Sequence, residues 1–298
     1  SLGNTLDLLG GQDVVSFTGS AATAQILRTN PNIIQNSTRF IAEQDSLNAC
    51  VLGLDAKPDD SSFDYFIKEV AREMTVKAGQ KCTAVRRVIV PRAQRDAVVD
   101  ALSKRLEGVK IGHPALETTR MGALVNQAQR VDVLDKIAQL ESCCERVFGD
   151  ADNFDVVGAD GQKGAFLPPV LLSCDKPHEA ELVHAVEPFG PVSTIMPYDD
   201  VEDAILIANH GQGSLVASVF TNDPSLATDF TIGSASFHGR LLFVDEQNAK
   251  THSGHGSPLP HLLHGGPGRA GGGEEMGGLR GVKHYMQRTA IQAGPNMM

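Results

Sequence analysis

Tryptophan is absent from this sequence of 298 residues, aromatic residues make up only 5%, and basic residues are fewer than acidic ones. The formal net charge of −10 excludes the extended basic surface that nucleic acids and anionic membranes attract. No apolar run approaches the roughly 20 residues that span a bilayer, and the N-terminus lacks the basic-then-apolar order of a signal peptide. These features predict a cytoplasmic protein whose partners include neither nucleic acid nor membrane.

Cysteine is also scarce, with five residues at irregular spacing: Cys50, Cys82, Cys143, Cys144 and Cys174. An odd number without paired spacing fits neither a disulfide framework nor a paired zinc motif. Histidines 252, 255, 261 and 264 lie in a Gly/Pro-rich stretch without carboxylate or thiolate company. We therefore predict free thiols and no metal.

Hydrophobic periodicity predicts strands that alternate with helices along the chain. Residues 14–17 read as a strand, 18–20 as a turn and 21–28 as a helix. Further strands are predicted at 40–42, 48–52, 85–90, 166–172, 192–196, 215–220 and 240–244, with helices at 63–77, 96–106, 127–140, 201–209 and 225–230. This alternation is typical of an α/β layered fold. From 254 to 281 Gly, Pro and His dominate, which predicts a surface excursion rather than core.

Cys82 is the first candidate for chemistry. The string Gly79-Gln80-Lys81-Cys82-Thr83 follows a predicted helix and precedes a predicted strand, and such loops expose side chains to clefts. Lys81, Arg86 and Arg87 are expected to stabilise a thiolate there by positive charge, which would make the sulfur a nucleophile. By position alone, a small buried hydrophobe is the alternative role.

The Cys82 string resembles the nucleophile loop of the aldehyde dehydrogenase superfamily, Gly-Gln-x-Cys. Phe17-Thr18-Gly19-Ser20 resembles that family's turn against the cofactor pyrophosphate, where a glycine and a helix N-terminus let amides approach phosphate. Glu43, at the end of a predicted strand, matches the family's general base, although Gln44-Asp45-Ser46 replaces the usual Leu-Gly-Gly. Glu187-Pro188-Phe189-Gly190 resembles the segment whose glutamate bonds the nicotinamide ribose and whose phenylalanine packs on the ring.

The resemblance implies a three-layer α/β catalytic domain with the tail end of a Rossmann-like cofactor domain. Residues 1–45 would be the C-terminal piece of the cofactor-binding domain, 46–281 the catalytic domain, and 282–298 an oligomerisation strand and tail. It also implies a homodimer, in which the strand at 286–292 joins a partner subunit. The family's oxyanion asparagine and its cofactor-binding lysine match nothing in these 298 residues, so we expect this chain alone to be nearly inactive.

Residues 77–87 and 254–287 resemble more narrowly the dehydrogenase domains of bifunctional ring-opening enzymes of bacterial phenylacetate degradation. This likeness implies oxidation of an aldehyde, with a CoA-linked semialdehyde as the expected substrate, to the acid with NADP, or with NAD as the alternative. The reaction would pass through a thiohemiacetal and a thioester on Cys82. Glu43, its pKa raised toward neutrality by partial desolvation, would activate the water that hydrolyses the thioester.

Three other functions compete with this one. A CoA-acylating dehydrogenase would transfer the acyl group to a thiol and have less use for Glu43. A non-catalytic assembly fragment would use only the C-terminal strand, whose unpaired edge promotes association. A cysteine hydrolase would need a histidine motif beside Cys82, and the sequence offers none. The histidine-rich segment is expected to line the substrate tunnel or to cover a partner subunit.

Overall fold

The structure, a computed structural model, describes residues 4–275 and 277–297. The strands are β1 (Val14–Thr18), β2 (Arg39–Glu43), β3 (Asn48–Leu52), β4 (Val85–Pro91), β5 (Ile111–Gly112), β6 (Glu145–Phe148), β7 (Val156–Val157), β8 (Val170–Ser173), β9 (Val192–Tyr198), β10 (Ala217–Phe220), β11 (Leu241–Val244), β12 (His264–Gly265) and β13 (Glu274–Glu275). The α-helices are α1 (Ala21–Arg28), α2 (Pro31–Gln35), α3 (Ser61–Thr75), α4 (Arg95–Glu107), α5 (Gln127–Glu141), α6 (Val201–Asn209), α7 (Pro224–Ser234) and α8 (Gly278–Tyr285).

Seven strands form the central sheet in the order β11-β10-β3-β4-β9-β8-β6. Neighbouring strands run parallel except β6, which pairs antiparallel with β8 at one edge. Side chains alternate between two buried clusters: on β3, Ala49 and Val51 enter one, and Cys50 and Leu52 enter the other. Helices α5, α6 and α7 cover the first face, and α3 and α4 cover the second. The predicted three-layer α/β fold is confirmed.

A second, smaller sheet lies near the start of the chain. Strands β1 and β2 pair in parallel, with Thr18 opposite Glu43. Ser20 begins α1, because its side-chain oxygen accepts a hydrogen bond from the Thr23 N–H at 3.2 Å. Parallel strands end at the same edge of their sheet, so the turn after β1 lies next to the end of β2.

Most predicted elements are present, and the strand at 48–52 and the helices at 21–28 and 201–209 have the predicted bounds. The strand predicted at 166–172 is shorter, because only Val170–Ser173 pairs with neighbours. Pro168 and Pro169 have no N–H to donate to a ladder, which explains the late start.

The prediction that residues 254–281 are only a surface excursion is partly wrong. Ala270 is fully buried, and β12 and β13 form an antiparallel pair beside β2. A Cβ atom on Gly271 or Gly273 would lie 2.3 or 2.4 Å from the Ala42 carbonyl oxygen. Glycine here permits the backbone to pack directly against β2, which a loop-like composition does not reveal.

Residues 286–297 form no strand within the described part of the chain, and they are exposed. The oligomerisation strand is expected to pair with a partner subunit, so that assignment stays a prediction, as does the boundary at residue 45. Met298 lies outside the described residues. No helix among the described residues has the length and apolarity needed to cross a membrane.

Candidate active site

Cys82 lies in the loop between α3 and β4, where the chain turns tightly. Lys77 and Ala78 have φ angles of 54° and 52°, and Gly79 follows with 67°. A Cβ atom on Gly79 would lie 2.1 Å from the Gly190 carbonyl oxygen, so only glycine fits this turn. The turn holds the half-buried Cys82 in front of the end of β2.

Glu43 is the last residue of β2 and is 7% exposed. The Cys82 sulfur, a Glu43 carboxylate oxygen and a His264 ring nitrogen all lie within 4.8 Å of one another. The predicted nucleophile and the predicted base are therefore brought together in one site.

His264 is the member of the site that the sequence did not predict. It lies on β12 in the covering segment, which we define as residues 254–275, and its Nε2 lies 3.4 Å from Oε2 of Glu43. The one sequence signal was the density of histidines between 252 and 264. No periodicity or spacing indicates which of them faces β2, because that depends on the packing of the glycine backbone.

The pKa of Glu43 lies below its ordinary value. The hydrogen bond with His264 is the largest cause and outweighs burial, which acts in the opposite direction; a hydrogen bond with Cys82 lowers the pKa further. In turn, the hydrogen bond to Glu43 raises the pKa of His264. The expectation that desolvation raises the pKa of Glu43 toward neutrality is thus wrong, because the hydrogen bond with His264, which the sequence did not predict, outweighs desolvation.

The thiol of Cys82 is protonated at neutral pH in this structure. Burial raises its pKa to about 12, and the hydrogen bond and charge of Glu43 act in the same direction. The expectation that Lys81, Arg86 and Arg87 stabilise a thiolate is wrong, because each of these cations has other partners.

The three cations hold the nucleophile loop to its surroundings. Lys81 Nζ lies 2.6 Å from the Glu73 carboxylate, and Arg86 donates to the carbonyls of Gly79 and Gly190. Buried Arg87 donates to main-chain carbonyls, those of Leu47, Ile207 and Ala208. Their role in the described structure is to fix the loop and the start of β4.

The turn Phe17-Thr18-Gly19-Ser20 lies beside Glu43. The Gly19 N–H donates to the Glu43 carbonyl at 3.1 Å, and every residue of the turn except half-buried Phe17 is exposed. Two amides of the first turn of α1 already have acceptors, one in Ser20 and one in Asp45. The start of α1 is thus exposed beside Glu43, and its contact with the cofactor pyrophosphate stays a prediction.

Glu187 and Phe189 both contact Arg86. Glu187 Oε2 accepts a hydrogen bond from the Ser46 N–H at 2.9 Å, and Oε1 lies 3.5 Å from Arg86 Nε. The Arg86 guanidinium lies 5.5 Å from the centre of the Phe189 ring. Among the described residues Oε1 has no hydrogen-bond partner, and burial raises the pKa of Glu187. Glu187 is thus buried against Arg86 and the Ser46 amide, and its contact with a nicotinamide ribose stays a prediction.

Ser46 and Asn48 form a polar connection that the sequence also did not predict. Asn48 Nδ2 donates to the carbonyls of Cys82 and Ala84, both at 2.9 Å. Ser46 Oγ lies 2.7 Å from Asn48 Oδ1 and accepts from the Leu215 N–H at 2.9 Å. Asn48 thus ties the nucleophile loop to β3, and Ser46, in the segment that departs from the usual Leu-Gly-Gly, connects Asn48 to the chain before β10.

The chain belongs to the aldehyde dehydrogenase family. The family profile, described as "Aldehyde dehydrogenase family", matches residues 8–291. This match confirms the family that four short strings indicated.

Two bacterial relatives are similar over much of the chain. A 3,4-dehydroadipyl-CoA semialdehyde dehydrogenase of Aromatoleum evansii is 48% identical over 262 residues, which cover 88% of this chain and 51% of the relative. Protein MaoC of Klebsiella aerogenes is 50% identical over 179 residues, which cover 60% of this chain and 52% of the relative. The chain therefore spans about half the length of the curated relatives it matches.

Solved structures of dehydrogenases share the fold. A lactaldehyde dehydrogenase structure superposes with a TM-score of 0.77 at 26% identity, covering 95% of this chain and 54% of that one. A betaine aldehyde dehydrogenase of Staphylococcus aureus, solved in complex with NAD+, superposes with a TM-score of 0.78 at 23% identity. The superposition covers 94% of this chain and 52% of that one. The latter likeness shows the fold alone.

Proposed function

We propose that this chain takes part in the NAD(P)-dependent oxidation of an aldehyde to an acid, with Cys82 as nucleophile and Glu43 as general base. The observation that carries the proposal is the convergence of the Cys82 sulfur, the Glu43 carboxylate and His264 within 4.8 Å. A sulfur and a carboxylate at this distance can act on the same carbon atom in succession.

The chemistry assigns one bond change to each side chain. The S–H proton of Cys82 passes to the aldehyde oxygen as the sulfur bonds the aldehyde carbon, giving a thiohemiacetal from which hydride can depart. Bound oxidised nicotinamide would supply the hydride acceptor. Loss of the hydride and of the hydroxyl proton leaves a thioester on Cys82. Glu43 then takes a proton from a water that attacks the thioester and passes it to the departing Cys82 sulfur, which releases the acid and restores the thiol.

The cofactor assignment rests on two separated features. Gly19 and Ser20 offer an exposed helix start for phosphate, and Glu187 matches by resemblance the family's glutamate that bonds the nicotinamide ribose. The proposed cofactor is NADP, with NAD as the alternative, on the resemblance to the phenylacetate enzymes. Phe17, Thr18 and Phe189 complete the proposed contact set.

The proposed substrate is a CoA-linked semialdehyde of aromatic degradation. Support comes from the relative of Aromatoleum evansii, whose name specifies a CoA semialdehyde. We also propose a cytoplasmic homodimer, in which residues 286–292 add a strand to a partner subunit.

Product analysis tests the proposal. The purified chain is incubated with a CoA-linked semialdehyde and NADP+, and the products are identified by mass spectrometry. We expect slow formation of the acid, because losing one oxyanion donor costs about 10²–10³ in rate. Cys82→Ser and Glu43→Gln should abolish the acid, whereas Cys143→Ser, which changes another half-buried thiol, should not.

The same experiment separates the alternatives. Fast turnover would refute the expectation that this chain alone is nearly inactive. Transfer of the acyl group to added free CoA, with no effect of Glu43→Gln, would favour the CoA-acylating dehydrogenase. No product at any enzyme concentration would favour the non-catalytic assembly fragment.

A further inference from the structure

The site contains three different metal-binding atoms that face one another. A thiol sulfur from Cys82, a carboxylate oxygen from Glu43 and an imidazole nitrogen from His264 lie within 4.8 Å of one another. Over residues 4–275 and 277–297, no other set of three such side chains meets that distance. The sequence suggested no metal, because the three ligands come from three segments far apart in the chain.

The separation between His264 and Glu43 fits a tetrahedral ion, and the Cys82 sulfur lies within 4.8 Å of both. Zn²⁺ binds nitrogen and oxygen at about 2.0–2.2 Å and sulfur at about 2.3 Å, so its ligand atoms lie roughly 3.3–3.8 Å apart. The separation of 3.4 Å between His264 Nε2 and Glu43 Oε2 is within this range. The Glu43 and His264 side chains are only 8% and 20% exposed, so little water reaches the two ligand atoms.

We propose that Cys82, Glu43 and His264 form a reversible binding site for Zn²⁺, or for another thiophilic divalent cation, that blocks the nucleophile. On binding, the Cys82 S–H bond breaks, its proton passes to solvent and a sulfur–metal bond forms, with no change of oxidation state. Three protein ligands leave the fourth position of a tetrahedral ion to water. The metal site itself is defined by geometry, whereas the blocking effect rests on the proposed role of Cys82 as nucleophile.

Ligand identity predicts which ions bind. Thiolate and imidazole select Zn²⁺ and Co²⁺ over Mg²⁺ and Ca²⁺, which prefer oxygen ligands. The vicinal pair Cys143 and Cys144, whose sulfurs lie 3.8 Å apart, is the competing thiol cluster, and the test must exclude it.

Spectroscopy with Co²⁺ as the probe tests the proposal without an activity measurement. The reduced full chain is titrated with Co²⁺, and the thiolate-to-cobalt charge-transfer absorption is followed; Zn²⁺ is then added to displace the Co²⁺. We expect a tetrahedral spectrum at one ion per chain, unaffected by excess Mg²⁺. The band should disappear in Cys82→Ser and persist in Cys143→Ser.

A matched pair of histidine variants assigns the nitrogen ligand. His264→Ala should weaken Co²⁺ binding at least about 100-fold, more than the loss of an outer-shell partner typically causes. His261→Ala, which changes an exposed histidine of the covering segment, should leave the affinity unchanged. Thermal unfolding of each metal-free variant verifies folding, and Glu43→Gln provides a third ligand change should one variant fail to fold.

The opposite outcomes would overturn the site. A charge-transfer band that remains in Cys82→Ser and disappears in Cys143→Ser would show that the metal binds at Cys143 and Cys144 instead. Affinities of His264→Ala and His261→Ala within about tenfold of each other, or no band at all, would contradict the proposed ligand set.

Discussion

At the scale of single residues, the contact between Glu43 and His264 shifts the pKa values of both side chains, and the sequence did not predict it. His264 hydrogen-bonds to Glu43, and this contact lowers the Glu43 pKa where the sequence predicted a rise. Burial raises the pKa of the Cys82 thiol, and the neighbouring Glu43 raises it further. The described site therefore combines a protonated thiol with a carboxylate of lowered pKa.

The pair predicts a pH-dependent stability difference for His264→Gln. The folded pKa of His264 exceeds the usual value near 6.5, so its contribution is complete below about pH 6.5 and lost as pH rises through the folded pKa. The folded pKa of Glu43 lies below its usual value near 4.3, so its contribution is present above about pH 4.3 and lost as pH falls through the folded pKa. Between about pH 4.3 and about pH 6.5, His264→Gln should lower the free energy of unfolding by about 1 kcal/mol.

Melting temperatures from pH 4 to about pH 9 measure this difference. His261→Gln, an exposed histidine in the covering segment, serves as the matched control and should parallel the parent chain at every pH. If the melting temperatures of His264→Gln and the parent chain differed by the same amount at every pH, the proposed electrostatic interaction between His264 and Glu43 would be contradicted.

Asn48 predicts a second residue-scale effect. Its amide donates to the carbonyls of Cys82 and Ala84, which lack these donors after Asn48→Ala. Unsatisfied buried groups cost about 1–3 kcal/mol each, so denaturant unfolding should show that the free energy of unfolding falls by about 2–6 kcal/mol. Exposed Asn153→Ala is the control and should stay within about 0.5 kcal/mol. Equal stabilities of the two variants would contradict the connection.

At the scale of elements, the covering segment completes the site by backbone packing. Gly271 has φ of 105°, and its Cβ position lies 2.3 Å from the Ala42 carbonyl oxygen. Gly272 has φ of 69°, but open space surrounds its Cβ position. Both glycines tolerate a left-handed conformation that alanine disfavours, yet only Gly271 contacts β2.

Gly271→Ala should therefore destabilise the chain more than Gly272→Ala. Left-handed strain costs each variant about 1 kcal/mol, and the clash with β2 adds roughly 1–3 kcal/mol to Gly271→Ala alone. Denaturant unfolding gives the two free energies. Equal values would mean that the covering segment does not pack on β2 as described.

The sequence predicted the elements much better than their meeting points. Val85–Pro91 and Asn48–Leu52 are buried, mostly apolar segments whose length and composition indicate strands. Cys82 and Glu43 were identified by resemblance to short family strings, and that resemblance alone implied that they lie in one site. His264 was not predicted, since its approach to Glu43 depends on glycine backbone packing that leaves no periodic signal.

At the scale of the whole molecule, two features concern partners. The chain spans about half the length of its curated relatives, and residues 286–297 are exposed without a strand partner among the described residues. An extended segment of this type gains hydrogen bonds by joining the edge of another sheet.

A chain ending at Tyr285 should therefore associate less than the 298-residue chain. Light scattering after size exclusion should give a dimer mass for the 298-residue chain and a monomer mass for the shortened one. Circular dichroism controls for folding, since the removed residues contribute no helix or strand in the described structure. Identical masses for both chains would contradict the role of the C-terminal residues in assembly.

The rate of Cys82 alkylation against pH, for the parent chain and for Glu43→Gln, tests the coupled site most directly. Peptide mass mapping follows Cys82 alone. Because Glu43 raises the thiol pKa, the substitution should move the alkylation profile to lower pH. At about pH 8, Cys82 in Glu43→Gln should then be alkylated several-fold faster than in the parent chain. Lowering a thiol pKa by one pH unit gives roughly ten times more thiolate. Superimposable profiles would contradict the claim that this sulfur and this carboxylate act as one site.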